Sequence, residues 1–148
     1  MNSNSRPPRS ARNTMMDLLA RRDHSEKELR NKLKIREFSD QEITRAIEFA
    51  REKSWLPNNE SQNEQFSLRM AQGLHRKNKG ILYINDYLKK KGLPHIKKDS
   101  ELELDKALSV LENKKLKEKM KIGRFLMSRG FDSETVRQAL SIYIKNNS

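Results

Sequence analysis

A chain of 148 residues that is 35% charged and 34% hydrophobic has room for one ordinary domain or for a few small units sharing thin cores. Thirty-two Lys and Arg against 20 Asp and Glu leave a net charge of +12, which speaks about anionic partners rather than about fold: phosphate backbone first, an anionic membrane or an acidic protein behind it. The lack of cysteine excludes disulfides, thiolate metal sites and a cysteine nucleophile, five Gly and four Pro are too few turns for an all-β fold, and with no apolar leader or membrane-length apolar run a soluble cytoplasmic protein is expected.

Residues 1–13, with Pro7-Pro8 and Arg6, Arg9 and Arg12, read as a disordered basic tail. From Thr14 the pattern is helical: Met15, Met16, Leu18 and Leu19 predict a first helix ending near Asp23. Ser25-Glu26-Lys27-Glu28 is a capping box, in which the Ser hydroxyl and the Glu carboxylate each satisfy an orphan backbone N–H. Leu29 and Leu33 behind it share one helical face. Ser39-Asp40-Gln41-Glu42 repeats the box, with Phe38 placed as a hydrophobic staple and Ile43, Ala46, Ile47 and Ala50 as the next stripe.

A similar unit returns near the end. Leu102, Leu104, Ala107, Leu108 and Leu111 predict one helix, Ile122, Phe125 and Leu126 a second, and Val136, Ala139, Leu140, Tyr143 and Ile144 a third, entered through Gly130-Phe131-Asp132. Leu33-x-x-Arg36-Glu37-Phe38 aligns with Leu126-x-x-Arg129-Gly130-Phe131, and at the same offset Ile43-x-x-Ala46-Ile47 aligns with Val136-x-x-Ala139-Leu140, so the chain contains an internal repeat. Leu88-x-x-Lys91-Gly92-Leu93 is a degraded middle copy, with only Pro94 and the short polar run His95–Asp99 to form its third helix. The expected fold is all-α: three tandem three-helix repeats over 14–54, 55–98 and 99–148, stacked into an elongated, curved array that supplies the burial each repeat lacks alone.

Charge concentrates in the middle copy. Residues 69–98 hold Arg69, Arg76, Lys77, Lys79, Lys89, Lys90, Lys91, Lys97 and Lys98 against the single acid Asp86. A solvated helix face normally intersperses acids among its bases; here they are missing, so a polyanion-facing surface is expected. Arg21-Arg22 and Lys114-Lys115 are smaller clusters that equally suit a helix C-terminus.

Signs of chemistry are weak. Asp23-His24-Ser25 are adjacent and cannot form a nucleophile–base chain, and Ser25 serves better as a cap. His75 and His95 lack carboxylate company for a metal. No paired general acid and base stands out, and neither a phosphate-loop nor a dinucleotide glycine motif is present. Gly73, Gly80 and Gly92 read as helix ends. Trp55-Leu56 reads first as a packing wedge between units, with base stacking or a partner hot spot as the functional alternative. No catalytic residue, metal or cofactor is expected.

The run Leu18-Leu19-Ala20-Arg21-Arg22-Asp23-His24-Ser25-Glu26-Lys27-Glu28-Leu29-Arg30-Asn31-Lys32-Leu33 resembles the opening signature of the RecX regulatory proteins. Phe38-Ser39-Asp40, Trp55-Leu56, Lys89–Leu93 and Gly123–Phe131 fall, in order, where that family places its later landmarks. The resemblance, over about residues 14 to 145, implies three three-helix repeats and no catalytic residues. It also implies a partner, the recombinase RecA as a filament on single-stranded DNA. A protein of this kind spans the filament groove and inhibits ATP hydrolysis, filament extension, strand exchange and co-protease activity. It binds DNA itself, single-stranded first and duplex second, and a monomer is expected. The thirteen basic residues from Arg21 to Lys115 named above are then the expected DNA and RecA contacts. The competing expectation is a stand-alone basic helical DNA-binding protein without a recombinase partner.

Overall fold

A computed structural model describes residues 9–147. Eight helices and no strand are present among them: α1 (Ala11–Arg21), α2 (Glu26–Ile35), α3 (Asp40–Glu52), α4 (Glu60–Arg76), α5 (Ile81–Lys90), α6 (Ser100–Glu112), α7 (Lys119–Ser128) and α8 (Ser133–Asn146). The chain divides into two compact units, Met1–Gln62 and Asn63–Ser148.

The first unit is a closed three-helix repeat. α3 packs on both α1 and α2, and Met15, Leu18, Leu29, Leu33, Ile43, Ile47 and Leu56 form its core. Both predicted capping boxes are made: Ser25 with Glu28, and Ser39 with Glu42. The basic tail is shorter than expected. Ser10 accepts from the Asn13 N–H and starts α1 at Ala11, because Ala11 is itself a core residue. The rest of the expected tail, residues 1–8, lies outside the described residues.

The repeated Leu-x-x-basic-x-apolar motif turns out to be a Schellman turn at each middle helix. At the end of α2, Phe38 N–H donates to Leu33 O (3.3 Å) and Glu37 N–H to Lys34 O (2.9 Å). At α5, Leu93 donates to Leu88 O (2.9 Å), and at α7 Phe131 donates to Leu126 O (3.2 Å). The turn needs a left-handed residue before the apolar one. Gly92 (φ 73°) and Gly130 (φ 92°) supply it cheaply, while the first repeat uses Glu37 at φ 68°, where a Cβ costs energy.

In the second unit, α8 packs on α6 and α7 around Leu111, Ile122, Leu126, Phe131 and Leu140. α4 and α5 share a smaller core, Phe66, Ala71, Ile84, Leu88 and Leu93. The middle repeat has no third helix: residues 93–99 are non-helical. Six residues after Leu93 cannot repay helix nucleation, and Pro94 starts a run with no apolar stripe. The segment is instead pinned by side chains. Ser67 donates to Pro94 O (2.7 Å), Ile96 N–H donates to Asn85 Oδ1 (2.9 Å), and Asn85 Nδ2 donates back to Ile96 O (3.2 Å).

The buried face of α6 also differs from the apolar stripe expected. Leu102 is exposed, and the inward residues are Glu103, Lys106, Ala107, Val110 and Leu111. That set has helical spacing, but two of its members are charged.

Candidate nucleic-acid and partner interface

The two inward charges of α6 bind the middle helix pair to the third repeat. Lys106 Nζ pairs with Glu103 and donates to His75 Nδ1 (2.8 Å) and to Lys79 O (2.7 Å), so all three ammonium protons have acceptors. Glu103 Oε1 accepts from the Ile81 N–H (2.6 Å). It thereby caps α5, whose own N-cap, Gly80, has no side chain to do so.

The neighbouring N–H groups are met by the end of α7: Gly80 donates to Arg129 O (2.8 Å) and Leu82 to Gly130 O (2.9 Å). The negative end of one helix thus faces the positive end of another. Arg129 returns the contact through its guanidinium to Lys77 O and Asn78 O. Gly80 is obligatory here, since a Cβ would lie 2.3 Å from the backbone of Gly130 and Phe131.

These contacts fix the places of the expected basic residues and split them into groups. Arg76, Lys77 and Lys79 lie at the end of α4, with the Lys79 ammonium 4.7 Å from the Tyr83 ring centre. Lys89, Lys90 and Lys91 lie at the other end of α5, about 15 Å along its axis. The Ser67–Pro94 clamp ties that end to the middle of α4, where Arg69 is exposed. Arg76, Lys77, Lys89, Lys90 and Lys97 are exposed. Lys90 makes a surface pair with Asp86 (2.9 Å), of a kind worth little.

Lys98 differs from the others. It bridges Asp132 (2.8 Å) and Glu134 (3.1 Å) at the start of α8, and the Asp132 hydrogen bond raises its pKa. Burial pushes the Asp132 carboxyl up, but Lys98 and the Thr135 amide outweigh it and hold the group below its ordinary value. Lys98 therefore serves as a structural tie between the pinned segment and the third repeat.

In the outer repeats, Arg21 is exposed, whereas Arg22 pairs with the buried Glu28 (2.9 Å). Lys114 sits over Phe125 (5.1 Å), and Lys115 borders a cleft of about 570 Å³ with Leu116, Tyr143 and Ile144.

His24 and His75 are both held below their ordinary pKa, by burial first and by a neighbouring cation as well. The Nε2 of His24 lies 3.0 Å from Lys32 Nζ and its Nδ1 lies 3.0 Å from Arg22 O; a neutral ring protonated on Nδ1 satisfies both. The sequence alone gives no role to Glu103 or Lys106, because nothing local distinguishes them from surface charges, and it marks Arg129 only as a position of the repeat. It did place Trp55 as a wedge, whereas Leu56 is the buried member of that pair and Trp55 is exposed.

A basic helical-repeat protein with a short stacked middle element, and its cations grouped at helix ends, is the class these features define. Residues 11–49 match the model of the RecX first three-helix domain, and residues 101–140 that of the RecX third three-helix domain. The chain is 32% identical to the regulatory protein RecX of Actinobacillus pleuropneumoniae serotype 5b (strain L20), covering 90% of this chain and 92% of that one. It is 30% identical to the regulatory protein RecX of Vibrio vulnificus (strain CMCP6), covering 91% and 94%. A crystal structure of RecX from Lactobacillus salivarius shares the fold, with a TM-score of 0.69 at 17% identity over 91% of this chain and 94% of that one. The protein belongs to the RecX family of regulatory proteins. Among the described residues no helix is long and apolar enough to cross a membrane.

Proposed function

We propose that this protein is a negative regulator of the RecA recombinase, acting on RecA–single-stranded-DNA filaments. The observation that carries the reading is the exposed basic set of the middle helices, Arg69, Arg76, Lys77, Lys89, Lys90 and Lys97, held on a family-typical helical frame. Lys79, Lys91, Arg21, Arg22, Lys114 and Lys115 extend that set; Lys98 does not, because two acids already occupy it.

Two cationic groups at opposite ends of α5, about 15 Å apart along its axis, suit a partner that presents phosphate at intervals. Contacts of this kind, repeated across adjacent filament subunits, give strong retention from weak single contacts. Occupying the filament groove would then inhibit ATP hydrolysis, extension, strand exchange and co-protease activity together. The chain acts here by binding, as a monomer, and needs no cofactor.

The test is RecA ATPase on single-stranded DNA with substoichiometric protein. Inhibition is expected, and the Lys89→Glu/Lys90→Glu variant should lose most of it while its circular dichroism stays unchanged. An unaffected ATPase with wild-type protein would end the reading. Equal affinity for bare DNA and for RecA filaments would favour a stand-alone DNA-binding protein instead.

A further inference from the structure

The sole tryptophan is held in a fixed, outward position on the first unit. α3 ends in a Schellman turn, with Ser54 left-handed at φ 61°. Ser54 N–H donates to Arg51 O (3.0 Å) and Trp55 N–H to Ala50 O (2.8 Å). The turn sends Leu56 into the core and leaves Trp55 42% exposed. Behind the indole, the half-buried Phe49 meets it edge-to-face, with ring centres 5.6 Å apart at 77°. Two exposed cations flank the pair. The Arg12 guanidinium lies 3.8 Å from the Phe49 centre, and the Lys53 ammonium lies 5.6 Å from it.

Each feature narrows the ligand. An aromatic side chain with two torsions, set on a hydrogen-bonded turn and held edge-on by Phe49, has little conformational entropy to lose on binding. A flat π-face accepts any base, provided the base is unpaired and unstacked. Arginine and lysine beside the ring favour an anionic chain over a neutral apolar peptide. We propose that Trp55, backed by Phe49 and flanked by Arg12 and Lys53, is a stacking site for an unpaired nucleobase, the two cations taking the adjacent phosphates. This rests on the nucleic-acid half of the function proposed above and not on the recombinase. It adds a contact on the first unit, outside the lysine-rich middle helices.

Because Trp55 is the only tryptophan, its fluorescence reports this site alone. The wild-type protein is titrated with an oligothymidylate of about fifteen nucleotides and, separately, with a blunt duplex of similar charge. Saturable quenching is expected with the single strand and not with the duplex. By anisotropy of the labelled oligonucleotide, Trp55→Ala should bind the single strand roughly five- to a hundredfold more weakly, and Trp55→Phe should keep most of the affinity. Arg12→Gln and Lys53→Gln should each lower the slope of log affinity against log salt by about 0.7.

Oligothymidylate that binds without changing Trp55 fluorescence, with Trp55→Ala binding equally well, overturns the stacking site and leaves the regulator reading intact. Quenching that is equal for the duplex overturns it too. The wild-type titration needs no variant, so a misfolded substitution cannot hide the result. The ATPase assay judges the regulator reading separately.

Discussion

The first repeat and the middle helix pair solve the same problem by different means. α1, α2 and α3 close on one another, cap their own ends through Ser10, Ser25 and Ser39, and bury a full three-helix core. α4 and α5 have no third helix, no cap of their own at the α5 N-terminus and a smaller core. They borrow what they lack from the third repeat: a carboxylate from Glu103, an ammonium from Lys106, and the last carbonyls of α7. A repeat that borrows its caps from a neighbour can be short, and its outer faces remain available for charge. The stretch with the largest excess of bases over acids is the one whose stability is supplied from elsewhere.

The largest expected effect tests this dependence. Lys106→Met strips the buried Glu103 carboxylate of its cation and removes the donor to Lys79 O and His75. Breaking one side of a buried pair costs about 3–5 kcal/mol, and the loss should fall on the second unit. Thermal melts followed by circular dichroism and by Trp55 fluorescence should separate in this variant, the fluorescence transition being the higher. Coincident, equally lowered transitions would show the two units to be one cooperative body and break the comparison.

Next is Gly80→Ala, where the new methyl would collide with the Gly130 and Phe131 backbone. Overpacking a site that cannot yield costs about 3 kcal/mol, read as a lower denaturant midpoint with the first unit again spared. A change near zero would mean that α5 and α7 do not meet as described.

Acidification should act more gently and on both units. His24 and His75 are held below 6.5 when folded, whereas in the unfolded chain they return toward 6.5. Below that value the unfolded state binds more protons, so stability rises with pH through the window under 6.5 and is lost as pH falls. His75→Gln, whose amide oxygen can still accept from Lys106, should flatten the slope of melting temperature between pH 7 and 5.5 for the second unit. An unchanged slope would take His75 out of the junction.

The smallest effect sharpens the comparison from the other side. Glu37→Gly places in the first repeat the left-handed glycine that the other two copies already have, and should stabilise the first unit by about 0.5–1 kcal/mol. A loss of stability there would mean that the Glu37 side chain contributes more than its backbone strain costs.

Much of the outer repeats was legible in the chain because their signals are local. A capping box spans four residues and a Schellman turn six, so Ser25–Glu28, Ser39–Glu42 and the Leu126–Phe131 turn could be read directly. The lysine concentration was legible in the same way. Three features were not. Ser10 reads as tail because α1 begins in polar residues. His95–Asp99 reads as a short helix only because the repeat calls for one. Leu102 reads as inward because it is apolar, whereas Glu103 and Lys106 hold that face of α6.

The sequence by itself determined the family, the helical class, the caps and turns of the outer repeats, and the excess of positive charge along the middle. Those properties depend on residues within a few positions of each other or on simple totals. Tertiary structure alone decided that α5 is capped by a carboxylate 22 positions away and that Lys98 is tied to α8 while Lys89 and Lys90 stay exposed. It also decided that Trp55 faces out and Leu56 in. A charge is stable inside or outside according to which partners the fold brings to it, and the acids that meet the Ile81 N–H and Lys98 lie 22 to 36 positions away along the chain.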